Sequence, residues 1–140
     1  MFPQTMFFVA ANPECPCPPT IFGAGVVLGS QITNNVAGNT NNLTIVGIND
    51  TAKLLLTSTG DVTITGLAAP ANDGQLLYIW NVDQTPNTIT LSHADVLSSA
   101  ANRFYLPGGV DLVLGQYDGV LLSYTQSLNG GVGGWLAIPG

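Results

Sequence analysis

The sequence predicts an all-β fold: a compact sandwich or barrel, jelly-roll or tulip-like, of about nine or ten short strands behind an extended N-terminal arm. Three observations predict it. Short apolar runs with period-two alternation recur at intervals of about 8–12 residues. Turn signals separate them, among them Thr59-Gly60-Asp61, Asn72-Asp73-Gly74 and Pro107-Gly108-Gly109. No long amphipathic helical pattern occurs, and no solenoid or coiled-coil period is visible. The length of 140 residues supports one domain, divided into an arm and linker over 1–40 and a β domain over 41–140.

Residues 1–30 have neither helical nor strand period. Pro3, Pro13, Pro16, Pro18 and Pro19 break any element and hold their neighbours extended. Yet the segment carries Phe2, Met6, Phe7, Phe8, Val9, Ile21 and Phe22, and disordered tails are poor in aromatics. An apolar, proline-stiffened arm is suited to docking on a neighbour, or else on its own domain. Val26-Val27-Leu28 is a candidate short strand, and the Asn/Gly-rich stretch to residue 42 reads as turns.

Strands are expected over 43–48, 52–58 and 62–65, the last alternating Val62 and Ile64 with threonine. Lys53 at a strand start reads as edge protection. Residues 75–82 are apolar on both parities, which predicts a central strand covered on both faces. Residues 87–93 alternate again, 94–101 connect, and 102–106 form a short strand. Further strands are expected from Val110 to Leu114, over 120–126 and over 135–138.

Charged residues are 7% of the chain, against about 25% in ordinary soluble domains, and mean hydropathy is +0.35. No apolar run reaches the roughly 18–20 residues that span a bilayer. Apolar surface must therefore be covered by copies of the chain or by a partner, so an obligate homo-oligomer is expected. The net charge is −6, with Lys53 and Arg103 the only cations. Two cations cannot neutralise a nucleic-acid backbone or form a basic membrane-binding patch, so neither partner is expected. The N-terminus lacks the charged region and apolar length of a secretory signal. Without one, the sequons at Asn42 and Asn49 read as turns. Cys15 and Cys17 are the only cysteines. A bond between them would be strained, and one distant histidine does not complete a zinc site. Free thiols, or a link between subunits, remain open.

D-G-Q-L-L-Y-I-W-N-V (73–82), N-T-I-T-L-S-H (87–93), S-S-A-A-N-R-F (98–104) and G-W-L-A-I (134–138) follow one another in this order. Together they resemble a β module of tailed-phage virion proteins: small capsid decoration (cement) proteins, and the end domains of tail or head fibres. The resemblance covers about residues 60–140. It implies a virion structural role and a trimer. The short chain without a fibre shaft, and the apolar arm, favour a decoration protein that binds the major capsid protein on the outer shell. A fibre tip contacting host glycan or protein is the alternative.

Little in the sequence points to catalysis, and no cofactor or metal is expected. His93 is the sole histidine and shares strand parity with Ile89 and Leu91. Ser92, Ser98 and Asp95 are near in sequence, but a Ser-His-Asp device needs an orienting acid and a positioned serine, and no G-x-S-x-G motif is present. The acids fall mostly in turns, where Asp serves the backbone. Arg103, alone in so uncharged a setting, should find a carboxylate or carbonyls. Asp111 is the expected partner in a structural ion pair, with Asp95 second. Trp80 is expected in the core; Trp135 and Tyr105 are candidates to stack a sugar.

Overall fold

The structure, a computed structural model, describes residues 29–138. The expected arm contacts (Phe2, Met6, Phe7, Phe8, Val9, Ile21, Phe22), the strand at Val26-Val27-Leu28 and both cysteines lie outside the described residues. Nine strands follow in order: β1 (Ser30–Val36), β2 (Thr51–Ser58), β3 (Val62–Ile64), β4 (Leu76–Asn81), β5 (Ile89–Leu91), β6 (Phe104–Tyr105), β7 (Leu112–Leu114), β8 (Gly119–Thr125) and β9 (Gly134–Ala137). They form a six-stranded sheet of order β1-β2-β4-β8-β9-β6 and a three-stranded sheet of order β3-β5-β7. The fold is all-β, as the alternation predicts, and both sheets remain open rather than closing into a barrel.

The first half of the chain coils between the two sheets. β1, β2 and β4 pair in parallel in the larger sheet, with Ile32 beside Leu54 and Leu54 beside Ile79. β3 and β5 pair in parallel in the smaller one, and Thr40 and Leu43 bridge Ile64 and Leu67 in the same sense. Each turn of this coil is stapled to the next by Asn, Asp and Thr side chains. Thr57 Oγ1 donates to Asn35 Oδ1 over 22 residues, and Thr63 N to Asn39 Oδ1 over 24. Ser58 N donates to Asp83 Oδ2 over 25 residues, and Thr88 N to Asp61 Oδ1 over 27. The parallel coil leaves no solenoid period in the sequence. The turns differ in length and repeat a chemical role, not a string, so self-similarity is not visible in the sequence. β7 and β8 then run antiparallel to β5 and β4 and end the coil.

Three further expectations change. Residues 43–48 are not a strand: Gly47 adopts φ 84° and the chain passes into a 3-10 turn at Ile48–Asp50. Leu43, Ile45 and Ile48 are nonetheless buried, so their apolarity marked core without marking extension. The boundary at residue 40 falls too late, because β1 belongs to the larger sheet and turns Val36 into the core. Its outer face is polar (Gln31, Thr33, Asn35), which disguised a strand as loop. With β1 outside it, β2 is an internal strand, and Lys53 stands on the outward face beside Tyr78 rather than at an edge.

One apolar cluster joins the two sheets, with Leu54, Leu56, Leu77, Ile79 and Leu122 from the larger and Val62, Ile64, Ile89 and Leu91 from the smaller. Trp135 and Phe104 are fully buried at its closing end. The Trp135 indole N–H donates to Leu67 O at 2.9 Å, and its ring meets Tyr124 edge-on at 5.2 Å. The glycine at 66 is obligatory, since a Cβ there would lie 2.6 Å from Asn102 O and from Ser98.

Asp83 closes the turn after β4. Its carboxylate accepts from the Thr85 hydroxyl and N–H at 2.6 and 2.9 Å and from Ser58 N at 2.7 Å. These bonds, led by the Thr85 hydroxyl, hold its pKa well below the ordinary carboxylate range. The stabilisation is fully present above the unfolded-state value of about 3.9 and is lost as pH falls through the lowered folded value. Asp83→Asn is expected to lower the melting temperature at neutral pH and to flatten its fall below about pH 4. Thermal melts across the acid range measure this; a variant curve parallel to wild type throughout would refute it.

Candidate functional site

The strand period of two decides what the larger sheet shows to the outside. With Leu54, Leu56, Leu77, Ile79 and Leu122 turned inward, Leu55, Leu76, Tyr78, Trp80, Leu121 and Leu136 turn outward. Register brings them together: Leu55 lies beside Trp80, Tyr78 beside Leu121, and Ser123 between Leu76 and Leu136. Tyr78 and Trp80 stack at 5.1 Å with an interplanar angle of 18°. Gly119 lies under the indole, where a Cβ would come within 2.7 Å of the ring, so only glycine lets Trp80 lie flat across β8. Leu76 is 45% exposed, Leu136 41% and Tyr78 38%. Lys53 is the one charge on these outward positions of β2, β4 and β8.

This corrects the reading of residues 75–82 as covered on both faces. Only the Leu77–Ile79–Asn81 parity is buried; no described element covers the other. Trp80 is accordingly outside the core, half-buried on the outer face, whereas Trp135 is inside it. Apolarity on both parities reads the same whether the second cover is another layer or another molecule.

Two depressions flank the exposed aromatics. A groove of about 820 Å³ lies where β1, β2 and β4 begin, with Leu76, Tyr78 and Leu121 among its lining and Gly29, Ser30 and Asp50 at its rim. A smaller one of about 350 Å³ lies between Tyr78, Pro107, Leu112 and Ile138.

The polar candidates serve the scaffold. Asp111 accepts from His93 N at 2.8 Å and from the Ser92 hydroxyl at 3.3 Å. The His93 imidazole instead receives the Leu106 N–H at Nδ1, 3.0 Å, with Tyr105 edge-on at 6.0 Å. Ser92, His93 and Asp111 thus meet without forming a relay, because the acid holds the hydroxyl and a backbone amide rather than the ring. The expected Arg103–Asp111 pair is corrected as well: Arg103 Nε donates to the Ser98 carbonyl at 2.9 Å. Asp111 is already occupied, and the local carbonyl needs no long reach. Asp95 and Asp118 each accept a backbone N–H within a turn, and Asp61 and Asp73 accept Thr88 N and Gln126 N from distant segments. Among the described residues, no group of three or more His, Cys, Asp or Glu side chains is placed to hold a metal ion.

The sequons are structural joints. Asn42 Oδ1 receives Ser99 N and Asn102 Nδ2, both at 2.8 Å, and Asn49 Oδ1 receives Ala71 N at 2.7 Å. Tyr105 is half-buried and its hydroxyl accepts from Asn129 Nδ2. Trp135 and Tyr105, the candidates for stacking a sugar, are buried and half-buried; Trp80, expected in the core, instead lies on the outward face beside Tyr78 and Leu121.

Comparison with protein-family models, with curated proteins and with solved structures returned no significant match.

Proposed function

We propose that this chain is a structural component of a tailed-phage virion, a decoration protein that sits on the outer shell and stabilises it through contacts with the major capsid protein. The observation that carries the reading is the outward face of the larger sheet: a stacked Tyr78–Trp80 pair flanked by Leu55, Leu121 and Leu136, with Lys53 as its charge. A face of this kind loses stability to water unless another surface covers it. The virion assignment itself rests on the resemblance of about residues 60–140 to phage β modules. The mechanism is mass action: the protein binds assembled shell and disfavours its disassembly. Homotrimer formation and capsid contact divide the apolar surface between them, with the arm residues Phe2, Met6, Phe7, Phe8, Val9, Ile21 and Phe22 reaching the shell. No catalytic step and no cofactor enters this reading.

One observation favours a second reading, a fibre or receptor-binding tip. The flat, outward Tyr78–Trp80 stack is also the geometry of a sugar platform. Locating the protein on intact particles by cryo-EM separates the two. Density over the outer shell, at capsomer junctions, is the expected result; density only at a tail or fibre end overturns it in favour of the tip.

A further inference from the structure

Among the described residues, four other than glycine have a positive φ: Asn42, Ala94, Tyr117 and Asn129. Asparagine accepts this left-handed geometry readily, and alanine brings only a methyl group to it. A bulky side chain there is an outlier. Tyr117, at φ 65°, is the one aromatic of the four, and the turn between β7 and β8 imposes the geometry on it. Tyr117 N donates to Asn81 O at 2.7 Å, Asn81 N to Asp118 O at 2.9 Å and Asp118 N to Gly115 O at 3.1 Å. Gly115 N donates to Asp118 Oδ2 at 2.9 Å, and Gln116 Nε2 to Asp83 O at 3.1 Å. Yet the fold makes little use of the ring, which leaves Tyr117 60% exposed. The residue carries the cost of its backbone without the burial that would offset it. Strain of this kind persists only where the surrounding structure over-determines it, and it gathers at functional sites.

The turn adjoins the outward face of the larger sheet. Asn81, which holds the Tyr117 N–H, follows Trp80 in β4. Gly119, two residues beyond Tyr117, pairs with Trp80 and lies under its indole. We propose that Tyr117 anchors the contact this face makes, its ring entering an apolar pocket on the partner. The inference rests on the decoration reading, which makes that partner the major capsid protein of the shell. Tyrosine suits the role, because it offers a large contact area with few rotatable bonds and is enriched among the residues that carry binding energy. The bonds across residues 115–118 hold the backbone in place before contact, so little ordering remains to be done on binding. The carboxylate of the turn, Asp118, is taken up by Gly115 N, and Gln116 is uncharged. Shape and apolar contact, not an ion pair, therefore define the pocket that fits.

Full-length Tyr117→Asn tests it, since asparagine accepts the left-handed backbone. The variant is expected to melt at or above the wild-type temperature. Its affinity for purified shells assembled without the protein is expected to fall at least about tenfold, read as occupancy against concentration. Tyr117→Phe, which keeps the ring, is expected to bind within about threefold of wild type. Asparagine-variant binding equal to wild type overturns the inference alone. So does a lower melting temperature of that variant, which would put the ring to use inside the fold. Equal loss in the asparagine and phenylalanine variants overturns the apolar pocket assigned to the ring. Failure of the wild-type chain to bind such shells overturns the decoration reading, and the inference with it.

Discussion

Trp135→Ala is expected to destabilise the fold by about 3–5 kcal/mol, measured by chemical denaturation. The indole is fully buried where the last strand closes the larger sheet, and three interactions end with it. The cavity removes its contacts with the surrounding core. The edge-on contact with Tyr124 is lost. The Leu67 carbonyl, which receives the indole N–H at 2.9 Å, is left without that donor inside the protein. Since whole domains are stable by about 5–15 kcal/mol, such a loss leaves a chain near its unfolding threshold. A variant within about 1 kcal/mol of wild type would show that the site collapses onto the gap, and would contradict the rigid closure described here. Trp80→Ala makes the contrast: it removes a half-exposed ring from the outer face and should cost far less.

Asn81→Ala is expected to cost roughly 4 kcal/mol, from about 1–3 kcal/mol for each buried polar group it orphans. Asn81 has no exposed surface. Its amide nitrogen donates to Asn87 O at 2.9 Å and Leu114 O at 3.0 Å, and its carbonyl oxygen receives Asp83 N at 3.0 Å. One side chain thus ties the end of β4 to the loop before β5 and to the end of β7. Alanine supplies neither donor nor acceptor, and the pocket is too enclosed for solvent to replace the amide freely. Asn81→Asp retains the acceptor but loses the donors and adds a buried charge, so it should be no better. Unfolding midpoints unchanged in both variants would refute the role given to this residue.

Much of this architecture was legible in the residues. Period-two alternation located β3, β5 and β8, because each has one face in the core and the other in contact with water or polar side chains. Turn chemistry placed the breaks at Gly60, Gly74 and Gly108. Pairing sense was not legible. Antiparallel and parallel neighbours need the same alternation, and only register shows that β1, β2 and β4 run the same way. β1 escaped notice because its outer positions are Gln31, Thr33 and Asn35 and its asparagines read as turn residues. The candidate face was present in the sequence as an unbroken apolar run at residues 76–80. Its meaning was reversed, since residue type alone does not say which molecule provides the second cover. Arg103 was legible as a residue needing a carboxylate or carbonyls, but residue type did not say that the nearby Ser98 carbonyl would serve in place of Asp111.

The coil also sets how such a chain can change in length. Neighbouring turns are tied by hydrogen bonds to side chains from residues 22 to 27 positions away, and the loops between strands absorb that spread. Inserting one whole circuit between β1 and β2 would add a strand to the larger sheet and leave the pairing of β2 with β4 and of β3 with β5 intact. Inserting a single residue inside β2 would turn Leu54 and Leu56 to the outside and Leu55 to the inside. Growth by duplication of entire circuits is therefore open to this architecture, whereas gradual lengthening is confined to its loops.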